Sequence, residues 1–276
     1  MYLAENAGLI SASTRDLDDF EILRPKTVDE AVNFLSDPNH NSVAYAGGTD
    51  LVAAFREGKT IERLVWLKDI VELHDITSTE DTLRIGALVT HAAGSKSTVL
   101  DTIPGFKESW RKIATVRIRL TATIGGNLMS QRTRYEMSIL LSALDAKINL
   151  TNADGSFTLT PDEIWVSDKI EGALLTSIDI PLEGKPRIDY ERSMRPLYTQ
   201  AVALRGGYDG SLGKVVIATE HLQPQIFEFS GNSSNLEQVF VSLPTDFADP
   251  ILDNDYIRGL APVFLKRQLA RLGEGS

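Results

Sequence analysis

Two glycine pairs stand out for the residues beside them. Ala46-Gly47-Gly48-Thr49-Asp50 lies between a segment that reads as a short strand, Ser42 to Ala46, and one that reads as a helix, Leu51 to Phe55. Thr123-Ile124-Gly125-Gly126-Asn127 follows an extended stretch starting at Thr121. Without a Cβ, a glycine lets backbone come close to a ligand, and successive N–H groups can converge on an anion. A threonine hydroxyl or an Asn or Asp side chain beside them can bond phosphate or sugar oxygens. Two such loops would suit the two phosphates of a dinucleotide. Each pair also reads as an ordinary tight turn. Neither follows G-x-G-x-x-G or G-x-x-x-x-G-K-[ST], so the spacing supports neither a Rossmann nor a Walker loop. The residues alone leave both readings open: two turns, or two anion-binding loops.

Other chemistries find less support. The histidines, His40, His74, His91 and His221, show no metal-ligand spacing, and no G-x-S-x-G elbow is present. The chain has no cysteine, which excludes thiol nucleophiles, zinc–thiolate sites and iron–sulfur clusters within it and agrees with a reducing cytoplasm. Lys and Arg number 28 against 38 Asp and Glu, a net charge of −10, which argues against a nucleic-acid partner. No apolar run reaches the ~20 residues of a membrane span. Residues 1–19 lack the basic start and apolar stretch of a signal peptide and read as a flexible extension.

The elements that would position the glycine pairs can be read from patterning. Thr27 and Glu30 have capping-box spacing ahead of a helix carrying Val28, Ala31, Val32 and Leu35 on one face. Arg63 to Leu67 and Thr82 to Ile85 read as strands, and His91 to Leu100 and Phe106 to Ala114 as helices. Met137 to Leu144 is apolar on most sides and reads as a buried helix. Lys147 to Thr151 and Phe157 to Thr160 flank Asp154-Gly155 as a hairpin, and Leu174 to Ile180 is a further strand. Beyond Gly184-Lys185-Pro186 the pattern changes to strands at 188–194, 199–205 and 214–219, followed by helices at 235–241 and 256–272. The expected division is an extension, 1–19, a unit of 20–183 with halves of about 20–75 and 76–183, and a C-terminal α+β unit, 184–276.

Ala46-Gly47-Gly48-Thr49-Asp50-Leu51, followed by Ala122-Thr123-Ile124-Gly125-Gly126-Asn127-Leu128, resembles the signature pair of the FAD-binding medium subunit of molybdenum hydroxylases, the carbon monoxide and xanthine dehydrogenase family. Arg24 to Val32 resembles that family's opening helix, Ile85 to His91 its I-G-A-x-T-T segment, and Val116 to Arg119 its Q-I-R-N stretch. The resemblance extends over about Phe20 to Arg267.

The resemblance implies an α+β fold of the FAD-binding PCMH type, akin to vanillyl-alcohol oxidase. Two α/β FAD-binding subdomains are followed by a C-terminal antiparallel sheet with helices. It implies FAD held between the first two units, with Ala46, Gly47, Gly48, Thr49, Asp50, Thr123, Ile124, Gly125, Gly126 and Asn127 as its main contacts. The amides of Gly47, Gly48, Thr49, Gly125 and Gly126 would donate to phosphate, and Leu88 and Thr90 would lie nearby. Tyr198 aligns with a tyrosine that covers one flavin face in the carbon monoxide dehydrogenase branch, and reads equally as a core tyrosine opening a strand. Arg192 or Arg195 would lie near the flavin or on the solvated surface. Many relatives follow the second loop with a proline and a cofactor-contacting aspartate. Here the segment is Gln131-Arg132-Thr133-Arg134-Tyr135-Glu136, and Glu136 stands in with a longer reach.

As implied partners, a small subunit would carry the [2Fe–2S] clusters and a large one the molybdopterin, in a cytoplasmic heterotrimer passing electrons through FAD to an external acceptor. The substrate, an N-heterocycle in common members, would react on the large subunit. The alternatives are a self-contained FAD-dependent oxidase or dehydrogenase of related fold, and a non-catalytic nucleotide-binding or scaffold protein.

Overall fold

The computed structural model describes residues 19–133, 135–193, 197–206, 212–230 and 252–273. The first unit runs β1 (Glu21–Leu23), α1 (Val28–Leu35), β2 (Ser42–Tyr45), α2 (Thr49–Arg56) and β3 (Arg63–Trp66). Its three strands are parallel, in the order β1-β3-β2, so α1 and α2 serve as crossovers. Thr27 caps α1, accepting from the Glu30 amide at 3.2 Å. The return bond from Glu30 reaches the amide of Lys26 at 2.7 Å, one residue earlier than a capping box requires.

The second unit begins with β4 (Ile76–Ser78) and β5 (Thr82–Gly86) and then passes through a series of short helices. These are α3 (His91–Gly94), α4 (Phe106–Arg111), α5 (Val116–Arg119), α6 (Ile124–Met129) and α7 (Met137–Ala143). The hairpin of β6 (Lys147–Asn152) and β7 (Gly155–Leu159) and the long strand β8 (Leu174–Pro181) complete an antiparallel sheet in the order β4-β5-β8-β6-β7. Every residue of α7 is buried, as its all-round apolar pattern requires.

A four-stranded antiparallel meander follows: β9 (Arg187–Arg192), β10 (Tyr198–Arg205), β11 (Leu212–Thr219) and β12 (Gln225–Ser230). Alternation along β10 and β11 divides their side chains between two cores. Ala201, Ala203, Val216 and Ala218 pack towards the second unit, with Trp110, Leu140 and Tyr190 in the same cluster. Tyr198, Val202, Leu204, Val215 and Ile217 face the closing helix α8 (Asn254–Gly273), whose Ile257, Ala261, Phe264 and Leu265 cover them.

Gln268 fixes the seat of α8. Its amide nitrogen donates to the carbonyls of Asp189 (3.1 Å) and Gln200 (3.0 Å), and its side-chain oxygen accepts from the Gln200 amide group at 2.8 Å. Gln268→Leu removes three hydrogen bonds, two of them buried, and is expected to cost about 2 kcal/mol, read as a lower urea midpoint at unchanged slope. An unchanged midpoint would show that the network contributes nothing net.

Several expectations change. The helix expected over His91 to Leu100 stops at Gly94, where a Cβ would lie 2.4 Å from the Trp110 ring. The chain then resumes as a 3₁₀ turn, Val99–Thr102. The helix expected to Ala114 ends at Arg111. Three short strands (β1, β4 and β12) and the four-residue helix α5 had no clear pattern. The helix expected at 235–241, and residues 1–18, lie outside the described residues.

Candidate functional site

A cavity of about 770 Å³ opens between the first unit and the second. One wall is the end of β2 and the first turn of α2. The other is made of residues from the segments 113–118, 122–132 and 135–136, with Leu88 and His91, and strand β8 begins beside them. The volume falls within the range of small-molecule and cofactor sites.

The first glycine pair shapes this wall by packing. Gly48 is the left-handed N-cap of α2 at φ 74°, and a Cβ there would stand 2.6 Å from the Tyr45 ring, itself stacked on Trp66. At Gly47 a Cβ would fall 2.2 Å from the carbonyl oxygen of Thr121, so this glycine lets the two motifs touch backbone to backbone. No side chain caps α2, and the amides of Gly48, Thr49 and Asp50 find no acceptor among the described residues. They lie at the positive end of the helix dipole, in residues that line the cavity.

The second motif corrects an expectation. Thr123 is the N-cap of α6, so Gly125 and Gly126 form the first turn of a helix and not a free loop. The Gly125 amide donates to Ala87 O at 2.9 Å, and the Gly126 amide to Thr123 Oγ1 at 3.1 Å. Neither is left over for a phosphate, because the helix cap and the Ala87 contact use both. What this motif offers the cavity is a smooth surface and the side chain of Asn127. Asn127 Oδ1 is buried and finds no hydrogen-bond partner among the described residues.

Of the residues expected at the site, Ala46, Gly47, Gly48, Thr49, Asp50, Leu88, Thr123, Gly125, Gly126, Asn127 and Glu136 all line the cavity. Thr90, Ile124 and Tyr198 do not. Thr90 caps α3 through Ala93 and bridges to Thr123. Ile124 is wholly buried in the second unit's core. Tyr198 is wholly buried beneath α8, its hydroxyl donating to Gln200 Oε1 and its ring edge-on to Phe264 at 5.4 Å. It takes the place of a core tyrosine opening a strand. Arg192 reaches the cavity, and Arg195 lies outside the described residues.

Asp50 does not stand free. Tyr135 donates its hydroxyl to Asp50 Oδ1 across the cleft, with Arg132 Nε at 3.8 Å, so the carboxylate ties the two walls together. Glu136 is buried, accepting from the Tyr190 hydroxyl and from Arg192 Nη1 at 3.3 Å. Burial pushes its carboxyl above the ordinary range, against the pull of Tyr190 and Arg192. Sequence reasoning missed His91, Lys59, Arg132 and Tyr135 as lining residues. His91 lay inside the Ile85-to-His91 segment and Arg132 and Tyr135 inside the Gln131-to-Glu136 segment, whereas Lys59 carried no signal.

Comparisons with known proteins show the family and the fold. Residues 18–183 match the family model described as the FAD binding domain in molybdopterin dehydrogenase. Carbon monoxide dehydrogenase medium chain of Afipia carboxidovorans is 31% identical over 169 residues, which are 59% of this chain and 59% of that one. Caffeine dehydrogenase subunit beta of Pseudomonas sp. (strain CBB1) is 30% identical over 158 residues, 56% of this chain and 52% of that one. The sequence match thus spans only a little over half of these relatives' length. A carbon monoxide dehydrogenase chain from Oligotropha carboxidovorans superposes with a TM-score of 0.81 at 24% identity, covering 93% of this chain and 98% of that one. At that identity the likeness speaks for the fold alone. With the family model covering more than half of it, the chain belongs to the family of FAD-binding domains of molybdopterin dehydrogenases.

Proposed function

We propose that this chain is the FAD-binding, electron-transferring subunit of a molybdenum hydroxylase complex. The supporting observation is the cleft walled by both glycine motifs, where the α2 amides and Asn127 Oδ1 have no partner among the described residues. Buried polar groups are almost always paired, so the buried Asn127 oxygen calls for a donor, and the open first-turn amides of α2 on the facing wall suit an anion; a ligand carrying both fits the site. FAD, with its diphosphate, ribose hydroxyls and amino group, is such a ligand.

In this reading Gly48, Thr49 and Asp50 present their amides to the diphosphate, aided by the helix dipole. Asn127 accepts from a hydroxyl or an amino group. Lys59, Arg132 and Arg192 at the cavity offset the cofactor's charge. FAD supplies, when bound, the means to accept electrons singly and release them in pairs. The chain has no cysteine, so [2Fe–2S] clusters would sit on a small partner subunit and molybdopterin on a large one, in a cytoplasmic assembly with an external electron acceptor. The organic substrate would react on the large subunit. None of the described helices is long and apolar enough to cross a membrane.

Titrating the purified chain with FAD tests the reading. Flavin fluorescence should quench to a one-to-one end point, and the loaded chain should capture molybdenum- and iron-containing subunits. A chain that takes up no FAD refutes the proposal, and a loaded chain that turns over an organic substrate alone favours a self-contained oxidase.

A further inference from the structure

His91 lines the cavity although only 1% of it is exposed. Its ring is held from several directions. The backbone amide donates to Ala122 O at 3.0 Å, which fixes its position beside the second glycine motif. The Trp110 indole N–H donates to His91 Nδ1 at 2.7 Å, the two rings edge to face. Trp110 in turn is wholly buried between Phe106 and the bare face of Gly94. An indole nitrogen can only donate, so Nδ1 must be the acceptor and the single ring proton must sit on Nε2. That Nε2 is buried and finds no partner among the described residues. Burial, with the charge of Arg119 nearby, keeps the ring from protonating until about pH 4. The side chain is thus a neutral donor, fixed in one tautomer, with its acceptor missing.

We infer that the Nε2–H of His91 is a built hydrogen-bond donor to the bound FAD, and that Trp110 is the positioning residue that sets its tautomer. The inference rests on the FAD reading above. A buried donor left unmatched is costly, and an imidazole clamped at its other nitrogen is not free to turn away. The cavity beside it is where an acceptor would come from. The acceptor is an oxygen or ring nitrogen of the cofactor, and the donor carries no charge at any pH above about 5.

The test uses the full chain labelled with ¹⁵N-histidine. In the wild type, one histidine should show the Nε2–H tautomer and no titration through neutral pH, and its Nε2 resonance should move when FAD is added. His91→Phe, which keeps a buried ring but no donor, should weaken FAD binding about tenfold or more. His91→Gln can accept from Trp110 and still donate, and should recover most of that loss. Trp110→Phe should allow the Nδ1–H tautomer to appear and weaken binding in step with its population. An Nε2 resonance that FAD leaves unmoved, in a chain that binds FAD, overturns the inference alone. So does His91→Phe binding with wild-type affinity. A wild-type chain that refuses FAD overturns the parent reading and this one with it.

Discussion

Gly126→Val is expected to abolish FAD retention in a chain that remains folded, while Gly47→Val is expected to damage the fold itself. The two glycines belong to similar motifs but face different neighbours. A Cβ at Gly126 meets only Thr123 Oγ1 at 3.1 Å and Ala46 Cβ at 4.0 Å, so the rest of a valine projects into the cavity. The residue is in the first turn of α6, where a non-glycine backbone is allowed, and its amide bond to Thr123 survives the change. The threonine hydroxyl must shift by a few tenths of an ångström, a small cost beside the loss of space for a ligand. FAD affinity should fall about 100-fold or more, with a melting temperature within a few degrees of wild type. At Gly47, a Cβ would lie 2.2 Å from a backbone oxygen that has no rotamer to change. The walls must separate, and a loss of about 3 kcal/mol or more is expected. Urea unfolding of the apo chains and FAD titration of both variants check this. If Gly126→Val binds FAD like the wild type, the α6 turn is packing and not a cofactor wall.

That contrast shows what could be read from residue order and what could not. The glycine pairs and their polar neighbours mark both walls correctly, because a missing side chain leaves a signature in sequence whatever its cause. The cause itself is not legible. Gly47 and Gly125 answer to backbone from distant segments, Thr121 and Ala87, and only the assembled fold brings these within reach. Likewise, nothing in Thr123-Ile124-Gly125-Gly126 announces a helix start, since two glycines in a first turn oppose helical propensity. The cap by Thr123 and the Val89 and Ala87 carbonyls that receive the Ile124 and Gly125 amides impose it. Tyr198 misleads for a related reason. Its alternation along β10 assigns a face, but whether that face meets the cleft or α8 depends on how the sheet docks. Period-2 patterning says that a residue is buried and leaves open against what.

Acid should destabilise the chain through His91 as pH falls from about 6.5. Burial, and then the Arg119 charge, lower the imidazole from its ordinary 6.5 to about 4. Between those values the unfolded chain binds more protons than the folded one, so folding stability rises with pH across the window. The contribution is therefore complete above about pH 6.5 and is lost as pH falls towards about 4, a swing of about 3 kcal/mol. Glu136 acts in the opposite sense. Burial raises its carboxyl, so the folded chain holds that proton more tightly and stability falls as pH rises through its titration. Asp69 and Asp179, lowered by Lys26 and Arg84 respectively, lose their contribution only below the ordinary carboxylate range. Wild type and His91→Phe separate these effects when unfolded in urea at about pH 7 and about pH 4.5. The wild type should lose most of the His91 contribution over that interval, and the variant should lose markedly less. Parallel pH profiles would mean that the imidazole finds water or an acceptor on protonation, and that the Trp110 clamp does not hold it neutral.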